Sequence, residues 1–374
     1  MYYEIEALDT LFFRDAAPFD ATADVYGKSM FPPLPSVYAG ALRSCYFAHH
    51  MESFVRAGEE DDPTRDLEIG LTCFKQEEDF LFPLPMDVAV KEIKEEGTSS
   101  KYSANTLTLQ RAKEISSHPL PYVLRQEELT RSGKDIDLPG GFYIDHNVLN
   151  AYLQDQKKSL VCKPLADFIS SEARIGIKID RNTGMSEESM FYQIRTVRPI
   201  NQQNKRITLF VETSGVDLPQ QAVIKIGGES KASQLTAVST KPEFKMEASS
   251  SQYFKLYMAT PAIFSGGWLP DWGFEEPDYI GTYKQDNAEI KVKLRAAAIG
   301  RYAGVGGFDM KKGRPKAMRY AVPAGSVYYF ELLQEGTFAD AMELLHGKKI
   351  SSERSNEGFG FCLIGKVEGG VEDV

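Results

Sequence analysis

Ser36-Val-Tyr-Ala-Gly-Ala-Leu-Arg-Ser-Cys-Tyr46 is the stretch from which the fold is read. Val37, Tyr38, Ala41, Leu42, Cys45 and Tyr46 recur at the intervals that put apolar side chains on one face of a helix. Ser36 directly after Pro35 is a good N-cap, so the spacing predicts a helix over about 37–50. Before it, Tyr3-Glu-Ile-Glu-Ala-Leu8 alternates apolar and acidic residues as a half-buried strand does, and the loop Phe12-Phe-Arg-Asp-Ala-Ala-Pro-Phe19 joins the two.

Further along, Arg174-Ile-Gly-Ile-Lys-Ile-Asp180 alternates with period two, Arg181-Asn-Thr-Gly184 reads as a turn, and Met190–Arg198 is strand-like again, which predicts a hairpin. Ile207–Glu212 continues the sheet. Pro219–Lys225 reads as a short helix, Gly227-Gly228 as a break, and Leu235–Val238 as a returning strand. The second half repeats the plan. Tyr253–Ala259, Ile290–Ala298 and Tyr320–Leu333 read as strands, Thr337–His346 as an amphipathic helix, Glu357-Gly-Phe-Gly360 as a turn and Phe361–Val367 as a last strand.

The order βα…ββαβ, met twice, predicts an α+β fold of two ferredoxin-like (RRM-like, split βαβ) domains with antiparallel sheets, at residues 1–243 and 244–374. A long insertion in the first domain is expected at 58–168. There an acidic stretch, Gly97-Thr-Ser-Ser-Lys101, Pro119-Leu-Pro121 and Pro139-Gly-Gly141 punctuate the chain too often for one regular layer, with short strands such as Phe80–Phe82 inside it.

The 374 residues, 42% of them hydrophobic, suffice for two cores. Apolar runs are too short to cross a bilayer and the N-terminus has no charged n-region, so a soluble cytoplasmic protein is expected. Cys45, Cys73, Cys162 and Cys362 show no metal-ligand spacing and read as buried reduced thiols. The net charge of −10 argues at first against a polyanionic ligand. Its distribution reverses that: residues 57–97 hold thirteen acids against four bases, whereas residues 291–319 hold nine bases against Asp309 alone. Such segregation permits a basic groove at low pI.

Six segments resemble RAMP proteins, and among them the third subunit of the Cmr effector complex of type III-B CRISPR systems. They are Leu11-Phe-Phe-Arg-Asp15, Phe31-Pro-Pro-Leu-Pro-Ser-Val-Tyr-Ala-Gly-Ala-Leu-Arg43, Arg174 to Gly184, Ile226-Gly-Gly-Glu-Ser230, Val322-Pro-Ala-Gly-Ser-Val-Tyr-Tyr-Phe-Glu331 and Gly358-Phe-Gly-Phe-Cys-Leu-Ile-Gly365. The resemblance implies two ferredoxin-like domains, no catalytic role and no cofactor. It implies a grip on the 5′ repeat-derived tag of the guide (CRISPR) RNA, with the large polymerase/cyclase-like subunit and the RAMP backbone subunit as neighbours. The acidic stretch 57–97 does not map onto the family pattern.

Candidate RNA contacts follow, each with a plainer alternative. Ser36, Gly40 and Arg43 can share one side of the helix; Arg43 is otherwise a solvated charge. Arg14, with Lys28 near it, faces RNA or pairs with Asp15. Arg174 and Arg181 lie in the resembling hairpin. Gly358-Phe359-Gly360 presents successive amides to a phosphate, or is a simple turn. The run 300–319, with Arg301, Lys311, Lys312, Arg314 and Arg319 beside Tyr302 and Phe308, tracks phosphates and stacks on bases, or is a solvated loop. Trp268 and Trp272 stack on bases, plug the core or meet a neighbouring subunit. Of His49, His50, His118, His146 and His346, the first two end a helix, where imidazoles suit the terminal carbonyls. The competing reading is a metal-independent RAMP endoribonuclease that uses one of these histidines on guide RNA. A scaffold meeting a basic partner is the remaining one. Glu59–Asp62 reads as a solvated acidic loop.

Overall fold

The computed structural model describes residues 1–14, 26–93, 101–112, 120–125, 139–156, 158–179, 183, 185–200, 205–309, 311, 313–333 and 336–367. The chain divides into two compact units, each assembled from three stretches. The first comprises Met1–Glu78, Ala166–Lys241 and Gly304–Arg319, the second Asp79–Leu165, Pro242–Ala303 and Tyr320–Val374. Two features of the expected partition change. Residues 79–165, read as part of an insertion in the first domain, fold with the second unit, and 304–319 fold with the first. Strand pairing answers to edges and buried faces rather than to chain order, which spacing along the sequence does not reveal.

In the first unit five antiparallel strands lie in the order Gln221–Lys225, Ala232–Val238, Tyr2–Ala7, Ile207–Ser214, Glu68–Gln76. Helix α1, Pro35–His49, buries Tyr38, Ala39, Ala41, Leu42, Cys45 and Phe47. The expected hairpin is present as Ser170–Ile179 and Ser186–Arg198, with Tyr26–Lys28 added in parallel. The segment expected to be a short helix at Pro219–Lys225 is instead the edge strand Gln221–Lys225. Pro219 and Gly227 confine it to a length too short to repay helix nucleation, and Val223 and Ile224 are β-branched. Gly227 has φ +76°, and a Cβ on it would stand 2.5 Å from the Phe12 carbonyl oxygen, so the Gly-Gly break is required by close backbone approach.

In the second unit the strands Ile280–Gln285, Ala288–Ala298, Val327–Leu332, Tyr253–Met258, Phe361–Lys366 and Lys348–Lys349 follow one another in a sheet. Helix α3, Phe338–Leu345, begins with a capping box between Thr337 and Asp340 and buries Phe338, Ala341, Leu344 and Leu345. Tyr320–Leu333 is not one strand. Pro323 lacks an amide and Gly325 takes φ +88°, so the long strand starts only at Val327. The stretch from 79 to 165 is far more regular than its punctuation suggests. It forms successive antiparallel neighbours Asp79–Pro83, Phe142–Asp145, Ser159–Pro164, Lys101–Thr106 and Val88–Ile93. Helix α2, His146–Leu153, was not foreseen; Asp145 caps it by accepting from the amides of Asn147 and Val148.

The two principal sheets share a plan. Taking in each unit the four strands of the βα…ββαβ pattern, the fourth lies beside the first, then the third, then the second. The first unit keeps the helix after its first strand and the second keeps the helix before its last. No helix among the described residues is long and apolar enough to cross a membrane. All four cysteines are buried and free, as expected.

Candidate nucleic-acid interface

Ser36 does not cap α1. Leu34 is the N-cap and Pro35 the first helical residue, and no side chain caps this end. Proline, with φ preset and no amide to satisfy, starts the helix ahead of Ser36. Gly40 is exposed, and a Cβ added to it would meet nothing within 4 Å, so close packing within the chain is not what this helical glycine serves. Arg43 is half-exposed yet engaged. Its Nε donates to Thr64 Oγ1 at 2.9 Å and its guanidinium reaches Asp62 Oδ2 at 2.5 Å.

Asp62 is itself buried, which corrects the expectation of a wholly solvated loop at Glu59–Asp62. Its carboxylate also accepts from the Gly58 amide at 2.6 Å and from the Thr64 amide and hydroxyl at 2.8 and 2.6 Å. Burial pushes the Asp62 carboxyl up, but these donors and Arg43 outweigh it and hold the group below its ordinary value. Glu59, Glu60 and Asp61 remain exposed. Lys311 is fastened to the same turn: its Nζ lies 2.8 Å from Glu59 Oε1 and donates to the Gly58 carbonyl at 3.0 Å. Two expected phosphate contacts, Arg43 and Lys311, are thus held by acids of their own unit.

A second cluster in the first unit surrounds Asp9. Arg174 donates to both its oxygens at 3.1 and 3.2 Å, Lys231 to one at 3.1 Å, and Arg198 lies 3.7 Å away while bonding Glu172. The Thr10 amide, with Lys231 and Arg174, holds the Asp9 carboxyl well below the usual carboxylate range. Three cations face two carboxylates here, so the cluster keeps a net positive charge near solvent. Of its members only Arg174 was singled out from sequence. Once the hairpin register is known, Glu172 lies opposite Thr196 on the facing strand, with Arg198 diagonal to it.

Arg14 is exposed in a bridge with Ser29, and Lys28 lies in the strand Tyr26–Lys28. Arg314 is exposed at the start of a short ladder with Phe308-Asp309 and forms no ion pair with a described residue, and Arg319 is also exposed. Arg181 and Lys312 fall outside the described residues, as do His118 and most of the turn at 181–184.

In the second unit Arg301 is exposed, without an ion pair among the described residues, and next to it Tyr302 is 68% exposed. The turn Gly358-Phe359-Gly360 differs from the expectation of an open row of amides. All three residues are buried, Phe359 completely, with the Arg354 guanidinium 5.2 Å from its ring centre. The Gly358 amide donates to Ser355 O at 3.0 Å, that of Gly360 to Pro261 O at 2.7 Å, and that of Phe361 to Thr260 Oγ1 at 2.8 Å. These donors are spent inside the fold, and a Cβ at Gly360, where φ is +82°, would stand 2.3 Å from the Ser351 nitrogen. Trp272 is a core residue, 5.1 Å from the rings of Tyr283 and Phe330, and Trp268 packs beside that core.

Three of the histidines bond to the backbone of their own chain. Nδ1 of His49 and of His50 reach the carbonyls of Cys45 and Tyr46 at 2.9 and 3.0 Å, which requires the proton on Nδ1. His346 Nδ1 accepts from the Ile364 amide at 3.2 Å, and burial, opposed by contacts with Phe244 and Ile364, lowers its pKa. Among the described residues no three His, Cys, Asp or Glu side chains are grouped to hold a metal ion.

The most buried polar centre was invisible in the sequence. Asp87 Oδ2 accepts from the hydroxyls of Tyr152 and Tyr329 at 2.7 and 2.5 Å, and Asp87 is fully enclosed. The buried Lys255 lies with Nζ 3.7 Å from the Tyr152 ring centre and 3.8 Å from Asp155.

Mostly antiparallel sheets, few helices and a basic cluster near solvent define an α+β protein. The chain belongs to the CRISPR-associated protein (Cas_Cmr3) family, whose model matches residues 3–367. It is similar in fold to a chain of the type III-B Cmr-beta complex bound to cognate target RNA and AMPPnP, with 18% identity and a TM-score of 0.50 over 88% of this chain and 86% of that one. A chain of the same complex bound to cognate target RNA alone aligns at 19% identity and TM-score 0.49, over 88% and 86%. A chain of the Csm3–Csm4 subcomplex of a type III-A interference complex aligns at 10% identity and TM-score 0.38, over 87% and 92%. Comparison with curated proteins produced no match. Family membership makes the chain a component of a CRISPR effector complex.

Proposed function

We propose that this chain is a non-catalytic subunit of a Cmr-type effector complex, working in the cytoplasm, that holds the 5′ repeat-derived tag of the guide RNA. In this reading it anchors the large polymerase/cyclase-like subunit, meets the RAMP backbone subunit, and is built on two ferredoxin-like domains. The observation that carries the reading is the family match over residues 3–367. The shared strand order of the two sheets supports the paired architecture, each sheet retaining one of the two helices a split βαβ unit requires. Exposed bases at Arg14, Arg301, Arg314 and Arg319, with the cluster around Asp9, offer cations to a polynucleotide.

The test is binding of tag-containing guide RNA to the full chain over a salt series, alone and in the reassembled complex. Affinity is expected to fall steeply with salt, and replacement of Lys311, Lys312 and Arg314 together by Gln to weaken it. Salt-independent binding would sink the reading. Incubation of repeat RNA with the chain in EDTA is expected to leave it intact. Cleavage at one site, lost in His49→Ala or His50→Ala, would make the chain a nuclease instead.

A further inference from the structure

Tyr302 and Tyr320 form an exposed aromatic corner in the second unit. Their ring centres are 4.7 Å apart with 75° between the planes, and the two residues are 68% and 61% exposed. Neither phenol bonds to a described residue. An edge-to-face pair leaves both faces of one ring and one face of the other uncovered by its partner. Two large rings left in water, with no hydrogen bond to a described residue, mark a binding surface rather than a piece of core.

The surroundings indicate what binds. Arg301, exposed, precedes Tyr302, and no acid lies within five residues of either ring along the chain. A ligand that offers a flat π face and an anion within a few ångströms of it complements this corner. An unpaired nucleotide has that chemistry: its base stacks on an aromatic ring and its phosphate meets a guanidinium.

We propose that Tyr302 and Tyr320 stack one unpaired base of a single-stranded RNA, with Arg301 taking the adjoining phosphate. This rests on the RNA-holding reading above and deepens it by naming a base contact. Of the aromatics the sequence offered for stacking, Tyr302 keeps that role. Tyr320 joins it, and Trp272 leaves it for the core.

The experiment uses the full chain and tag-containing RNAs in which 2-aminopurine replaces each base in turn. Stacking is expected to quench the fluorophore at one position. In the Tyr302→Ala/Tyr320→Ala variant, whose far-ultraviolet dichroism should match the parent because both rings are exposed, that quench is lost and affinity falls about tenfold. Phe at both positions is expected to restore both. Arg301→Gln is expected to lower the slope of log affinity against log salt by about 0.7 without removing the quench. If the parent chain binds no RNA, the functional reading itself fails. If the parent binds and the double Ala variant binds and quenches equally, RNA holding stands and the stacking corner is wrong. If the double variant binds and quenches as the parent does but no longer assembles with the other subunits, the corner is a protein contact and the proposal is overturned.

Discussion

Asp9 and Asp87 are both carboxylates that gather several donors, and they differ in almost everything else. Asp9 sits 45% exposed among Arg174, Arg198 and Lys231, all charged. Asp87 is sealed and takes two neutral phenols, whose pKa values burial, reinforced by the Asp87 charge, raises well above the ordinary tyrosine range. The contrast shows how position selects the donor. In water a guanidinium is inexpensive and exchangeable, whereas in the interior each added charge carries a desolvation penalty, so uncharged hydroxyls satisfy the carboxylate more economically. Lys255 is a cation admitted to that interior, and burial lowers its pKa while Asp87 and Asp155 oppose the shift. On the proposed function the first centre trades partners with an incoming phosphate, while the second holds its unit together.

The largest expected effect breaks the buried centre. Asp87→Ala leaves two phenols without an acceptor and Lys255 without one of its opposing charges, and should lower the unfolding free energy by about 3–5 kcal/mol in denaturant titration. Tyr329→Phe removes one hydrogen bond to the carboxylate and should cost about 1.5–3 kcal/mol. A loss under about 0.5 kcal/mol in either would refute the role assigned to Asp87.

Next in size is a pH effect in the same unit. Because the folded pKa of His346 is depressed below about 6.5, the unfolded chain binds the proton first as pH falls. The stability that neutral His346 supports is therefore complete above pH of about 6.5 and is lost as pH falls towards the folded value. His346→Gln, whose amide oxygen can still accept from Ile364, should flatten that limb of a melting-temperature profile. An unchanged limb would assign it to another group.

The smallest effect is expected at the surface centre. Asp9→Asn should change stability by under about 1 kcal/mol, and less in high salt. On the proposed function it should tighten RNA binding, since Arg174 and Lys231 lose their competitor. Weaker binding would show that Asp9 orients those bases rather than competing for them.

Much of the local structure was legible in the sequence. The helix at Pro35–His49, the hairpin of Ser170–Ile179 with Ser186–Arg198, the helix at Phe338–Leu345 and the last strand all follow from spacing between near neighbours in the chain. What escaped depends on partners far along the chain. Asp87 reads as one acid in an acidic run until Tyr329, 242 positions later, is brought to it. The edge strand Gln221–Lys225 is recognisable only with its neighbour Ala232–Val238 in place. The site residues divide the same way: residue type offered Arg43 and Lys311 to phosphate, and gave no sign that Asp62 and Glu59 hold them within the fold.

The tie between Lys311 and Glu59 gives the chain a built-in counterion. When a polyanion takes Lys311, the group it displaces is a tethered carboxylate that stays on the molecule; cations condensed on the polyanion still leave, but the bared Glu59 carboxylate gathers some of them back. Since affinity falls with salt in proportion to the ions set free, the salt slope should be shallower than the number of bases in contact would suggest.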